Sequence, residues 1–219
     1  MRAVFINGSP RKNWNTHKIL IAASEGAQEV GAATEIIHLD DLTFKGCTSC
    51  FACKLKNSKT NGVCAMRDEL RPVLEKCMEA DAIVIGSPVY FGATTAAARA
   101  FYERLMFPIL RYKWGKDGKI ESTLSRKRRS ALILTGNIQE SQLDQYHYST
   151  HFDDMAQAMG ALLGSSELMF VCDTYQYDDY SKYDIHMFDP IKKAEHRDKQ
   201  FPVDLQKARD LGKRLCTVS

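Results

Sequence analysis

The sequence predicts an α/β fold in which a five-stranded parallel sheet is covered by helices on both faces, giving three layers. Short apolar runs alternate along the chain with segments whose apolar residues recur at helical spacing. The runs are nearly continuous, which is typical of strands that are buried on both faces. Apolar residues make up 44% of the 219 residues, enough for one such core and too many for a disordered chain.

Each predicted strand is one of these apolar runs, and each predicted helix is an amphipathic segment that follows it. The strands are residues 3–6, 35–39, 81–86, 131–134 and 168–171, and the helices are 19–30, 70–78, 95–107, 152–163 and 205–215. Right-handed crossovers leave two strand orders, that of dinucleotide-binding proteins and the flavodoxin-like, doubly wound order 2-1-3-4-5. Both place a ligand beyond the carboxyl ends of the strands, so the loops after the first, third and fourth strands are the expected site.

Composition narrows the class of function. Thirty Lys and Arg against 27 Asp and Glu give a net charge of +3, which favours neither a nucleic-acid-binding protein nor an acidic tail. The basic run at 126–129 leads into the fourth strand, and we expect it to be a solvated strand entrance. No apolar run reaches the roughly 18–20 residues of a membrane span, and no secretory leader is recognisable. We therefore expect a cytoplasmic protein whose seven cysteines are reduced or bind a cluster rather than form disulfides.

The loop after the first strand is rich in hydrogen-bond donors. Residues 7–16 read N-G-S-P-R-K-N-W-N-T and end at the start of a helix, where free N–H groups and the helix dipole attract an anion. Ser9, Asn15 and Thr16 add polar side chains, and Arg11 adds a positive charge. Neither the G-x-G-x-x-G of a pyrophosphate site nor the G-K-[ST] of a P-loop is present. The loop suits a phosphate monoester, with an ordinary strand–helix turn as the alternative.

The loop after the third strand combines rigidity with aromatic surface. Residues 86–92 read G-S-P-V-Y-F-G. Pro88 fixes one backbone torsion, and glycines allow close approach on either side of Tyr90 and Phe91. Such a loop can donate backbone hydrogen bonds to the edge of a planar heterocycle while aromatic rings pack on its face. The alternative is a turn whose aromatic side chains join the core.

Together the two loops resemble the NADPH-dependent FMN reductase family, well over residues 1–137 and more weakly beyond them. Within that family the chain is similar to the branch that includes the iron–sulfur flavoproteins. The resemblance implies a flavodoxin-like fold in which residues 1–219 form a single FMN-binding domain. It implies that the FMN phosphate is bound by Ser9, Arg11, Asn15 and Thr16, that the isoalloxazine is lined by Pro88, Val89, Tyr90, Phe91 and Gly92, and that the pocket is completed by Thr135, Gly136 and Asn137. Trp14 is a departure, because the family often has a small residue there.

Four cysteines lie in the loop after the second strand, at 43–66. Cys47, Cys50 and Cys53 form a C-x2-C-x2-C pattern, and Cys64 follows after ten intervening residues. Thiolates at this spacing can converge on one soft metal centre. The resemblance implies a [4Fe–4S] cluster, although the iron–sulfur flavoproteins have a more compact spacing. Structural zinc and reduced, packed thiols are the alternatives.

A tyrosine-rich loop, predicted at 173–202, leaves the sheet at its carboxyl edge. We expect it to form a lid over the flavin or a dimer contact, with a well-packed surface loop as the alternative. The resemblance also implies a homodimer.

The leading hypothesis is an FMN-dependent NAD(P)H oxidoreductase that reduces a flavin, a quinone or a similar small acceptor. The alternatives are an electron carrier that exchanges electrons with protein partners, and a flavin-binding sensor without turnover. No side chain is predicted to act as a general acid or base.

Overall fold

A computed structural model of the protein describes residues 1–115, 118 and 120–217, so the last two residues of the predicted domain lie outside the described part. The strands are β1 (Arg2–Asn7), β2 (Ala33–His38), β3 (Ala82–Tyr90), β4 (Ala93–Thr94), β5 (Leu110–Trp114), β6 (Ile120–Ser122), β7 (Arg128–Thr135) and β8 (Gly164–Val171). The helices are α1 (Asn15–Glu29), α2 (Leu70–Glu79), α3 (Ala96–Ile109), α4 (Tyr148–Leu163) and α5 (Pro190–Cys216).

The main sheet has the order β2-β1-β3-β7-β8, with all four pairings parallel. The five strands are those predicted from the apolar runs, and their order is the predicted 2-1-3-4-5, so the flavodoxin-like fold class is confirmed. The register places Asn7, the last residue of β1, between His38 of β2 and Gly86 of β3. The carboxyl ends of the central strands therefore meet at one edge, where the strand order reverses.

Two apolar cores lie on the two faces of the sheet. Alternate side chains of β1 enter opposite cores, because successive residues of a strand point to opposite faces. Val4 and Ile6 pack with α2, α3 and α4, whereas Ala3 and Phe5 pack with α1 and α5. The sheet is therefore covered on both sides, as the continuous apolar runs predict.

Helix α5 begins well before the predicted closing helix. It starts at Pro190 and is capped by Asp189, whose carboxylate accepts hydrogen bonds from the backbone N–H groups of Ile191 and Lys192. The predicted loop at 173–202 is therefore wrong beyond residue 189. The first part of the helix carries mostly charged residues, so its apolar periodicity is weak, although proline in the first turn is a typical helix start.

The basic run at 126–129 is a solvated strand entrance only in part, because Arg126 and Lys127 are exposed whereas Arg128 is buried. The Arg126 guanidinium pairs with Asp81, and Arg128 is buried at the start of β7, where it donates to the carbonyl oxygens of Met78 and Arg126. Burial lowers the pKa of Arg128. These arginines join the amino-terminal ends of β3 and β7. A run of basic residues in the sequence does not indicate such contacts.

Asp81 gives the fold a pH dependence. The backbone N–H of Arg2 donates to its carboxylate at 2.7 Å. This hydrogen bond and the Arg126 guanidinium lower the pKa of Asp81 below its usual 3.8, although burial acts in the opposite direction. A carboxyl group whose pKa is lower in the folded state stabilises the fold at pH values above its unfolded-state pKa. This stabilisation is lost as the pH falls through its folded-state pKa. We expect Asp81→Asn to lower the unfolding free energy by about 1 kcal/mol at pH 7.

Urea unfolding at pH 7 and at pH 3 measures this effect. The Asp81→Asn variant should lose less stability between the two pH values than the wild type does. Asp184→Asn, at a carboxylate whose side chain is 96% exposed, is the matched control and should follow the wild type. Identical acid dependence of the Asp81→Asn variant and the wild type would contradict the expectation.

Candidate functional site at the carboxyl edge

A cavity of about 460 Å³ opens at the carboxyl edge of the sheet, within the roughly 300–1,000 Å³ typical of small-molecule sites. Its lining consists of Ser9, Arg11, Trp14, Asn15, Thr16, Pro88, Val89, Tyr90, Thr135, Gly136, Asn137, Thr174, Tyr175, Gln176, Tyr177 and Tyr183. The structure thus brings together the four residues predicted for the phosphate, three of the five predicted for the ring, and all three that follow the fourth predicted strand.

The loop between β1 and α1 is held by its own polar groups. The Ser9 hydroxyl accepts the backbone N–H of Arg11 at 3.1 Å. Asn15 and Thr16 form the first turn of α1 and are buried, and the Thr16 hydroxyl lies 2.7 Å from the Thr135 hydroxyl of β7. The loop therefore joins the start of a helix to the end of a neighbouring strand. Donors that converge on one cavity beside a helix N-terminus fit a phosphate group.

The loop after β3 turns back as a two-residue hairpin between β3 and β4. Phe91 and Gly92 occupy the turn with φ of +49° and +79°, the positive values that type I′ hairpins need at both central positions. The Phe91 side chain is fully exposed, and neither residue is among the described residues that line the cavity. Their predicted contact with the isoalloxazine stays a prediction.

The segment at 174–183 forms one wall of the cavity. The Tyr175 carbonyl oxygen accepts hydrogen bonds from Trp14 Nε1 at 2.9 Å and from Asn15 Nδ2 at 2.6 Å. The Gln176 carbonyl oxygen accepts from Arg11 at 2.5 Å, and the Arg11 guanidinium lies 3.8 Å above the Trp14 ring. The unusual Trp14 thus ties the β1–α1 loop to the tyrosine-rich segment. The expected lid lies beside the predicted phosphate loop.

Lys193, near the start of α5, is a site residue that sequence reasoning missed. It is 4% exposed, and its ammonium donates to the side chains of Asn137 and Asp173 and, at 3.1 Å, to the Thr174 carbonyl oxygen. Burial lowers the pKa of Lys193, although the bonds to Asp173 oppose that effect. One buried cation therefore joins the loops after β7 and β8. This first part of α5 falls within the predicted loop at 173–202, so no helical periodicity marked Lys193.

A second cavity, of about 600 Å³, adjoins the first and shares Val89, Gly136 and Asn137 with it. The rest of its lining is Ile138, Gln139, Gln142, Tyr146, Tyr148, Asp173, Met187, Phe188, Asp189, Lys192 and Lys193. Aromatic rings and amide side chains therefore surround a space large enough for a second small molecule beside the first.

The four cysteines of the loop at 43–66 border a separate cavity, together with Arg104. Burial raises the pKa of the Cys53 thiol. Within the described residues, no three or more His, Cys, Asp or Glu side chains are placed to hold a metal ion. As they stand, the four thiols fit neither a [4Fe–4S] cluster nor tetrahedral zinc, although they share one lining.

Comparison with known proteins identifies the family. The family model for NADPH-dependent FMN reductase matches residues 1–170. The chain belongs to this family. An iron–sulfur flavoprotein of Archaeoglobus fulgidus is 42% identical over 104 residues, which cover 48% of each chain. Across the first three curated relatives of this type, the matched part spans about half of their length. The predicted resemblance to the family and to its iron–sulfur flavoprotein branch is confirmed.

Solved structures of similar fold support the same architecture. An NAD(P)H:quinone oxidoreductase from Methanothermobacter marburgensis superposes with a TM-score of 0.66 at 15% identity over 98% of both chains. An FMN-dependent NADH-azoreductase from Bacillus anthracis, in complex with FMN, gives a TM-score of 0.64 at 14% identity over 99% of this chain and 100% of that one. At these identities the likeness concerns the fold. None of the helices in the described part of this FMN reductase family member combines the length and apolarity needed to cross a bilayer.

Proposed function

We propose that this protein is an FMN-binding, NAD(P)H-dependent oxidoreductase that reduces a flavin, a quinone or a similar small acceptor, and that residues 1–219 form one FMN-binding domain. The observation that carries the proposal is the 460 Å³ cavity, where the donors of the β1–α1 loop meet the loops after β3 and β7. Family membership supports FMN as the ligand.

The residues of the cavity divide into two groups by their chemistry. Ser9, Asn15, Thr16 and Arg11 offer hydroxyl, amide and guanidinium donors beside the start of α1, and we assign them to the phosphate. Pro88, Val89 and Tyr90, with the loop at 135–137, offer a less polar wall, which we assign to the isoalloxazine. Phe91, fully exposed at the hairpin tip beside Gly92, is free to cover that ring.

The residues of the chain bind the FMN, orient it and shield it from solvent. When bound, FMN supplies the redox chemistry, accepting a hydride and passing on one or two electrons. Lys193 fixes Asn137, which belongs to both cavities, and so holds the wall between them. The 600 Å³ cavity offers Tyr146, Tyr148 and Phe188 as packing surfaces for a flat donor or acceptor.

Two spectroscopic measurements test the proposal. Protein purified without oxygen should show a flavin spectrum, or acquire one when FMN is added. Stopped-flow mixing with NADPH or NADH should bleach that spectrum promptly. Colourless protein that cannot be reconstituted would overturn FMN binding. A flavin spectrum that no nicotinamide bleaches would overturn the assignment as an NAD(P)H-dependent oxidoreductase.

Arg11→Met is expected to weaken FMN binding about tenfold, because a charge-assisted hydrogen bond contributes about 1.5–3 kcal/mol and the exposure of Arg11 places its effect at the low end of that range. Riboflavin, which has no phosphate, should bind the variant and the wild type alike. Quenching of flavin fluorescence measures both affinities. Lys12→Met is the matched control, because Lys12 is the neighbouring cation and pairs with Asp41. Equal loss of FMN and riboflavin affinity would argue against a phosphate role for Arg11.

The second candidate function is an electron carrier of the iron–sulfur flavoprotein type, favoured by the four thiols that border one cavity. Their positions do not form a ligand set, so a cluster at Cys47, Cys50, Cys53 and Cys64 would require the loop to rearrange. Iron and sulfide assays on anaerobically purified protein test it. Stoichiometric iron and sulfide, with bleaching by a reduced ferredoxin-like donor but not by nicotinamide, would favour this function over the first.

A further inference from the structure

Asn7 forms a hydrogen bond that holds the loop between β1 and α1, residues 7–16, which we call the phosphate loop. It ends β1 and is fully buried. Its side-chain oxygen accepts the backbone N–H of Ser9 at 3.0 Å. The next residue, Gly8, is fixed by its N–H to the Gly86 carbonyl oxygen at 2.8 Å and by its own carbonyl oxygen to the Thr95 hydroxyl at 2.7 Å. Asn7 therefore supplies the bond that sets the path of the loop at Ser9.

The orientation of the Asn7 amide fixes the state of a histidine. A backbone N–H can only donate, so the Asn7 oxygen must face Ser9 and its NH2 group must face the other way. That NH2 group lies 3.0 Å from Nδ1 of His38, the residue paired with Asn7 in the sheet register. A donor faces this nitrogen, so Nδ1 must be an unprotonated acceptor. The observed loop thus requires a neutral His38 with its proton on Nε2.

The surroundings of His38 contain a second histidine. His17, in the first turn of α1, lies with its ring centroid 4.7 Å from that of His38, and its buried Nδ1 has no hydrogen-bond partner among the described residues. Burial and the neighbouring His38 lower the pKa of His17. Asp40 and Asp41 follow β2, and Asp41 is paired with Lys12 of the phosphate loop. The protonated form of His17 is therefore disfavoured at this contact.

We propose that Asn7 is a positioning residue for the phosphate loop and that the protonation of His38 controls it. The inference rests on the proposed function, because it assigns this loop to the FMN phosphate. When His38 is protonated, its Nδ1–H faces the NH2 group of Asn7, and two donors oppose each other. Rotating the amide restores that contact but turns the NH2 group toward the Ser9 N–H. Either arrangement loses one of the two hydrogen bonds that hold the Asn7 side chain beneath the loop, so FMN binding weakens in acid.

The test compares FMN affinity between pH 7.5 and pH 5.5 in the wild type and in His38→Asn. Asparagine at this position offers a side-chain oxygen near the place of Nδ1 and cannot be protonated in this range. The phosphate's own ionisation affects both proteins equally. We expect the wild type to lose roughly five- to tenfold more FMN affinity than the variant over this range, the equivalent of one hydrogen bond. Riboflavin affinity should show no such difference.

The outcomes separate the inference from the function on which it rests. Equal pH profiles for FMN in the two proteins would overturn the role of His38 and leave FMN binding intact. Failure of both to bind FMN at pH 7.5 would overturn the proposed function instead. If His38→Asn did not fold, an NMR titration of the wild-type histidines would decide. Added FMN should move the titration curve of the His38 resonances to lower pH, and an unchanged curve would overturn the inference.

Discussion

Gly212→Ala is expected to lower the free energy of unfolding by about 3 kcal/mol, because helices α1 and α5 touch backbone to backbone at this position. A Cβ atom at residue 212 would lie 1.8 Å from the Ala23 carbonyl oxygen. The contact is reciprocal, since a Cβ atom at Gly26 would lie 1.9 Å from the Arg209 carbonyl oxygen. A backbone oxygen cannot rotate away as a side chain can, so the helices would have to separate along their whole contact.

Urea unfolding followed by circular dichroism measures this loss. Gly160→Ala is the matched control, because residue 160 also lies in a helix and its Cβ would meet its nearest neighbour, the Ser166 nitrogen, at 3.3 Å. This contact is tight, but alanine gains up to about 1 kcal/mol of helix propensity over glycine. Because the two effects oppose each other, this control should lose far less stability than Gly212→Ala. The double variant of Gly26 and Gly212 should lose less than the sum of the single losses, because one separation relieves both contacts. Equal stability of the two single glycine variants, Gly212→Ala and Gly160→Ala, would contradict the close contact.

The sheet could be predicted from the sequence because its signal is local and strong. Each of the five strands is a continuous apolar run, and the helices between them carry enough apolar residues to show their period. The β5–β6 hairpin was missed for the opposite reason. Most residues of these two strands, among them Tyr112 and Trp114, are exposed, so they show no alternation of buried and exposed positions.

The candidate site was predicted only where it is made of consecutive residues. The loops at 7–16 and 86–92 could be predicted as parts of the site because their hydrogen-bond donors and glycines lie at fixed spacing in the sequence. The wall at 174–183 contacts Trp14 and Asn15 across some 160 residues of chain, and no local pattern encodes such a pairing. Lys193 was missed for the same reason, since its partners lie in the loops after β7 and β8.

The second large effect is expected at Arg104, which connects the cysteine loop to α3. Its side chain is fully buried, and it donates to the Asp68 carboxylate at 2.9 Å and to the Lys45 carbonyl oxygen at 3.0 Å. Burial disfavours the charged guanidinium and by itself lowers the pKa of Arg104. The hydrogen bonds to Asp68 and Cys64 outweigh this effect, so the pKa is raised. We expect Arg104→Met to lower the unfolding free energy by about 3–5 kcal/mol, because a partly buried carboxylate is left without its partner.

The same substitution at Arg99 is the matched control, since Arg99 lies on α3 but forms an exposed i,i+4 pair with Glu103. Arg99→Met should change the stability by less than about 1 kcal/mol. Reaction with a thiol reagent adds a second measurement, because release of the loop should expose Cys64, which is 7% exposed in the intact fold.

If the unpaired carboxylate causes the loss, adding Asp68→Asn to Arg104→Met should destabilise less than the two single losses added together. Strict additivity would instead mean that the guanidinium acts mainly through the backbone carbonyl groups of the loop. A loss in Arg104→Met no larger than that in Arg99→Met, with Cys64 still unreactive, would mean that the loop holds its path without Arg104. The cysteine positions would then depend on the packing of the loop itself, rather than on an ion pair at its base.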